Sequence, residues 1–283
     1  MLLNWGIMPE LPDVEILKKY FDRRCIGKKI SEVRVLERRI LRDTSAEKIK
    51  SLLEGRSFVK SRRYGQHLFV EIGENKTPRD RRSRSGRQGR TGYIDIHFGM
   101  DGGFNFRKKD EPPPEYTRIK FSFENDYLAY TSRRMLGGIR AITSPEDFIL
   151  HKQLGPDALS PDFSREYFLK AIAGKKTSIK AVLMDQQVVA GIGNVYSDEI
   201  LYQAGILPGT RAGLLKDKQS QDLYEKTLTV LKTALRHDAD AQRFPSRFLL
   251  RHRHKNGDCP CGGKVSTSKV AGRTSYFCPT CQK

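Results

Sequence analysis

No stretch of this chain approaches the roughly 20 consecutive apolar residues that a bilayer-spanning helix needs, so membrane insertion does not organise it. Met1–Ile7 lacks the basic start and long apolar run of a secretory signal, and the expectation is a cytoplasmic protein with no membrane partner. Cysteine is scarce, with five in 283 residues and only Cys25 before position 259. In a reducing compartment that count does not make a disulfide framework. Acidic residues are also in deficit: 33 Asp and Glu face 52 Lys and Arg, a formal net charge of +19. Such an excess attracts polyanions, because phosphates bind a basic surface and release counterions. Nucleic acid is the expected partner ahead of an anionic membrane. No internal repeat is present, which excludes a solenoid. What remains is a globular composition, 37% hydrophobic, in a chain long enough for two ordinary domains and a small module.

Val14, Leu17, Phe21 and Cys25 recur at helical spacing and Gly27 follows as a stop signal, so a helix with Cys25 on its apolar face is predicted early in the chain. Alternation then dominates: Val33 and Val35; Leu68, Val70 and Ile72; Ile94, Ile96 and Phe98; Ile119, Phe121 and Phe123. The last set runs through Glu124-Asn125-Asp126 to Leu128 and Tyr130, a hairpin pattern. Residues 74–90 hold seven Lys and Arg and almost nothing apolar, and read as a flexible basic loop between two strands. Pro145 and Gly155-Pro156-Asp157 mark a change to helical patterning, with Tyr167, Phe168 and Ile172, then Ile179, Val182 and Leu183, then Val195–Ala204, then about Leu214 to His237. The expected class is α+β and multidomain. Residues 1–145 form an antiparallel β-sandwich with a helix, 146–250 a helical domain, and 251–283 a cysteine-bearing β-hairpin module.

Three features carry chemistry. Pro9-Glu10 follows Met8, so translation starting at Met8 and removal of that methionine would leave a secondary amine beside a carboxylate. An α-amino group titrates at about 8, so such an amine is partly unprotonated near neutrality and can attack a sugar carbon to form an iminium without a cofactor. The seven preceding residues, Met1 to Ile7, would instead leave Pro9 an amide with no lone pair to offer. Translation from Met8 is the expected state. Cys259-Pro-Cys261 and Cys278-Pro-Thr-Cys281 enclose sixteen residues. Two close pairs of thiolates suit one tetrahedral zinc ion, which would supply folding energy to a module too small for its own core. A hairpin between the pairs would present Arg273 either to a phosphate or into a duplex. Gly191-Ile-Gly193-Asn194 reads either as a tight turn bringing Asn194 and helix-starting N–H groups to a phosphate, or as glycines required only for packing.

The order of these elements resembles the Fpg/Nei family of DNA glycosylase/AP lyases, formamidopyrimidine-DNA glycosylase more than endonuclease VIII. The resemblance rests on Pro9-Glu10-Leu11-Pro12-Asp13-Val14-Glu15, His97-Phe98-Gly99-Met100, Met184 to Ile206, and Gly272 to Gln282. Of these, Met184 to Ile206 is the most specific and resembles the family's helix–two-turns–helix element. The resemblance implies a base-excision-repair enzyme, a monomer acting on double-stranded damaged DNA and associated with the nucleoid. It implies Pro9 as nucleophile, Glu10 as general acid/base, and β,δ-elimination after removal of oxidised or ring-opened purines, with oxidised pyrimidines as a second substrate class. It also implies Met100, Arg134 and Leu136 filling the space left by an extruded nucleotide and contacting the orphaned base, Asn194 and Arg273 on its phosphates, and one structural zinc on Cys259, Cys261, Cys278 and Cys281. The chain departs from the family pattern at Gln66, where a lysine is usual, and at Ser132 and Leu136, where an aspartate and an aromatic are usual. Met1–Ile7 ahead of Met8 and the uncharged Gln66 motivate an alternative, a damaged-DNA or abasic-site binder on the same fold with impaired chemistry, whereas Ser132 and Leu136 bear on the preference for the opposing base. A zinc-ribbon protein acting on RNA is a third class, which leaves the Pro9-Glu10 start unexplained.

Overall fold

The computed structural model describes residues 8–74 and 92–283. The basic stretch expected to be a flexible loop lies, from residue 75, outside the described residues. The chain divides into two compact units, one holding residues up to Pro9 and Val14–Lys152, the other Glu10–Asp13 and Gln153–Lys283.

The first unit is built on two four-stranded antiparallel sheets. In one, β1 (Glu32–Val35), β6 (Thr117–Ser122), β7 (Asp126–Thr131) and β5 (Gly103–Lys108) lie in the order β1-β6-β7-β5. In the other, β2 (Ser57–Tyr64), β3 (His67–Gly73), β4 (Gly92–His97) and β8 (Gly138–Ile142) run in sequence order. The alternating residues of β3 and β4 explain the sandwich. Leu68, Val70, Ile72, Ile94 and Ile96 are fully buried in one core with Val33, Ile119, Phe121 and Leu128 of the other sheet. Phe58 and Phe121 meet edge to face across it, with ring centroids 5.7 Å apart. Helix α1 (Leu11–Cys25) adds Val14, Leu17, Phe21 and Cys25 to the same core, and α2 (Ala46–Leu53) adds Ile49 and Leu53. Pro145 opens a short helix, α3 (Pro145–His151), whose N-cap Ser144 accepts from the Asp147 N–H. Proline fits there because the first-turn N–H has no helical partner to lose.

The second unit is helical, with α4 (Arg165–Ile172), α5 (Ile179–Met184), α6 (Asn194–Gln203) and α7 (Asp217–Arg236) around an apolar core that includes Leu11, Phe168, Leu183, Ile200 and Leu231. A hairpin of β9 (Ser266–Val270) and β10 (Arg273–Phe277) completes it. No helix among the described residues is long and apolar enough to cross a membrane.

Candidate active site

The second unit wraps its start around one carboxylate. Glu10 is fully buried, and its Oε2 accepts from the backbone N–H of Gly193 at 2.7 Å and of Tyr196 at 3.1 Å, while Oε1 accepts from that of Val195 at 2.7 Å. These donors belong to the N-terminus of α6, where N–H groups have no helical acceptor and the dipole favours negative charge. The N–H groups that the sequence suggested for a phosphate are therefore taken by the protein's own glutamate. Glycine at 193 is a requirement of this contact, since a Cβ there would lie 2.6 Å from the Glu10 Cδ. Burial pushes the Glu10 carboxyl up to about 7, against the pull of the three N–H donors and the Arg253 charge. A group at that position gains and loses a proton near neutral pH.

Asp13 braces the same residue: its Oδ2 accepts from the Glu10 N–H at 2.8 Å. This is half of a capping box, an acidic side chain at the third helical position reaching back to the cap amide. The spacing Glu10-x-x-Asp13 carries that signal in the sequence, although it suggests no role in a site.

Behind the glutamate's cradle lies an ion cluster that sequence reading missed. Asp198 of α6 accepts from Lys180 Nζ of α5 at 2.5 Å, from Arg253 Nη2 at 2.8 Å and from the Tyr276 N–H of β10 at 3.2 Å. Lys180 and Asp198 are both fully excluded from solvent at their side chains. Nothing in the local pattern marks them, because each looks like an ordinary polar residue on a short helix. The cluster ties α5 and α6 to the terminal hairpin. Asn194 makes a second tie, donating Nδ2 to the Thr274 carbonyl at 3.2 Å, while its buried Oδ1 has no partner among the described residues. Arg273 is exposed at the start of β10.

The four terminal cysteines converge. Their sulfurs all lie within 4.8 Å of one another, with Cys259–Cys261 at 3.3 Å and Cys259–Cys281 and Cys261–Cys278 at 3.6 Å. A tetrahedral ion with metal–sulfur bonds of about 2.3 Å separates its sulfurs by about 3.8 Å, so the set fits one metal ion. The single-residue Cys259–Cys261 spacing is accommodated by a turn in which Cys259 N–H donates to the Gly263 carbonyl at 2.8 Å.

In the first unit, Gln66 occupies the two-residue turn of the β2–β3 hairpin beside Gly65, whose φ is +55°. Gln66 is buried, and its Nε2 has no partner among the described residues. Met100 follows β4, whereas Arg134 and the exposed Leu136 follow β7. His97 at the end of β4 is held neutral, since burial, His67 and nearby arginines depress its pKa to about 4. Pro9 is buried, directly ahead of Glu10.

Two family models match the chain: the formamidopyrimidine-DNA glycosylase N-terminal domain over residues 8–139, and the formamidopyrimidine-DNA glycosylase H2TH domain over 154–246. The formamidopyrimidine-DNA glycosylase of Prochlorococcus marinus (strain MIT 9312) is 32% identical over 98% of this chain and 100% of its own length. The chain belongs to the formamidopyrimidine-DNA glycosylase family. The Carboxydothermus hydrogenoformans relative of the same name is 29% identical over 98% of this chain and all of its own length. Among solved structures, the Lactococcus lactis formamidopyrimidine-DNA glycosylase bound to DNA containing an AP site matches with a TM-score of 0.85 at 27% identity, covering 97% of this chain and 99% of that one. A formamidopyrimidine-DNA glycosylase fold thus carries, in this chain, an uncharged Gln66 and the aliphatic Leu136.

Proposed function

We propose that this protein is a base-excision DNA glycosylase with AP lyase activity that removes oxidised or ring-opened purines from double-stranded DNA. The carrying observation is the Glu10 carboxyl, buried at the head of α6 with a pKa near 7 and immediately following Pro9, in a member of this family. The net charge of +19 and the relatives crystallised with DNA support the partner.

In this reading the active chain begins at Pro9. Its secondary amine attacks the anomeric carbon of the damaged nucleotide, and the glycosidic bond breaks with its electron pair leaving on the base. Glu10 gives its proton to the sugar ring oxygen, the ring opens, and an iminium links Pro9 to the sugar. The iminium acidifies the neighbouring sugar carbon. Successive β- and δ-elimination then expel the two phosphates, and water releases Pro9. The target base must first leave the stack, at about a few kcal/mol, least for a damaged pair. By the family pattern Met100, Arg134 and Leu136 act at the vacated stack and Asn194 and Arg273 at the phosphates. Gln66 is assigned the catalytic-loop position, where it offers an amide N–H in place of a charge. Cys259, Cys261, Cys278 and Cys281 hold a zinc ion whose contribution is structural, ordering the hairpin that bears Arg273.

Borohydride trapping on an abasic-site duplex, paired with the intact mass of the protein expressed from Met8, tests the reading. A covalent adduct on a chain starting at Pro9 is expected. The uncharged Gln66 favours one competing reading, binding to damaged DNA without chemistry. Duplex binding with no adduct from the Pro9-started chain would establish that reading instead.

A further inference from the structure

Two loops of the first unit lie back to back, Phe98–Gly102 after β4 and Ser132–Gly137 after β7. A Cβ on Gly99 would fall 2.2 Å from the Gly137 nitrogen, and one on Gly137 would fall 2.2 Å from the His97 carbonyl oxygen, so the contact exists only with glycine on both sides. Asp101 spans it. Its Oδ1 accepts from Ser132 Oγ at 2.8 Å and its Oδ2 from the Arg134 N–H at 2.9 Å. Ser132 Oγ in turn accepts from the Met135 N–H at 3.1 Å. From the other side, Arg42 donates Nη2 to the carbonyls of Met135 at 2.8 Å and Gly137 at 2.7 Å. Between these anchors Met135 is held at φ +53°, a left-handed conformation that a non-glycine residue keeps only when its surroundings impose it.

The loop so held carries Arg134 and Leu136. Both side chains are exposed, so packing does not fix their backbone; the hydrogen bonds do. Residue 132 has no charge with which to organise its own turn. The carboxylate comes from the facing loop. An aspartate at 132 is physically able to do the same work in place, because Asp side chains bond backbone N–H groups two or three residues on.

We propose that Asp101 is a positioning residue that sets selectivity for the base opposite the lesion: with Arg42 it locks the Ser132–Gly137 loop and so fixes Arg134 and Leu136. The inference rests on the reading that these two residues meet the orphaned base. Two measurements test it on the full chain, for wild type, Asp101→Ser and the exchange variant Asp101→Ser/Ser132→Asp. The first is hydrogen exchange at the amides of residues 132–137 in the free protein. The second is the ratio of Kd values for tetrahydrofuran abasic-site duplexes with cytosine or adenine opposite.

In Asp101→Ser, loop exchange accelerates and the Kd ratio moves toward unity by about tenfold, the effect of losing charge-assisted hydrogen bonds. The exchange variant regains protection and returns the ratio to within about twofold of wild type. An Asp101→Ser protein that protects the loop and discriminates as wild type does would overturn the proposal. So would an exchange variant that stays unselective. If exchange responds as described while wild type binds both duplexes equally, the loop lock stands, and it is the orphan-base assignment beneath it that fails.

Discussion

Replacing Glu10 by glutamine separates the chemistry of this residue from its place in the fold. Folding raises the Glu10 carboxyl from the ordinary 4.5 to about 7, chiefly by burial. The folded protein therefore binds this proton more tightly than the unfolded chain does. That contribution to stability is fully present below pH 4.5 and is lost as pH rises through 7. A shift of about 2.5 units, at 1.36 kcal/mol each, makes it about 3 kcal/mol. Glutamine does not titrate, so Glu10→Gln gains on wild type by about 3 kcal/mol between pH 4.5 and 8. At about 2–4 °C per kcal/mol, the difference in Tm between the two proteins moves by about 6–12 °C over that range. The offset at any one pH includes a further cost of about 1–3 kcal/mol, because the amide group of glutamine turns a donor toward the N–H of Val195, or toward those of Gly193 and Tyr196. Catalysis moves the other way. In the proposed mechanism Glu10 is the general acid, so its loss lowers excision of the damaged base by about 10²–10⁴-fold with duplex binding retained. Thermal unfolding from pH 4.5 to 8 and single-turnover excision on the same preparations check both. Parallel pH–Tm curves for the two proteins, or excision at the wild-type rate, would refute the reasoning.

Gly193→Ala places a methyl 2.6 Å from the Glu10 Cδ, so it costs about 1–3 kcal/mol and drives the carboxyl from its cradle; denaturant midpoints and excision rates fall together. Lys180→Met leaves the buried Asp198 with Arg253 as its one remaining cation, a loss of up to about 3–5 kcal/mol measurable by urea unfolding, and Lys180→Met/Asp198→Leu does not recover it, because Arg253 and the Tyr276 N–H then lose their acceptor. Prolonged chelation, or Cys261→Ser, releases one metal equivalent by elemental analysis and weakens duplex binding, while the Glu10-dependent difference in stability persists.

Part of this protein was legible in its sequence. The spacing of Val14, Leu17, Phe21 and Cys25 specifies α1, because a 3.6-residue period selects one face. The alternation through Leu68–Ile72 and Ile94–Ile96 specifies two central strands whose inner faces are fully buried. The cysteine pairs point to a metal site because two close pairs of thiolates suit one tetrahedral ion, and their sulfurs do converge. Other elements were hidden for identifiable reasons. β2 carries Lys60, Arg62 and Arg63 and a register shift between Phe58 and Lys60, which break its alternation. β5 and β8 are half-exposed, α3 buries only Pro145 and Phe148, and the helical spacing of Ile49, Leu52 and Leu53 in α2 spans a single turn. The site itself was decided by tertiary structure. The sequence marks Glu10 as reactive and Gly193 as a turn residue, but it does not show that one seats the other across 183 positions. Local pattern records which face of an element is apolar. It does not record which distant backbone will close over a carboxylate, and that burial raises the proton affinity on which the proposed chemistry depends.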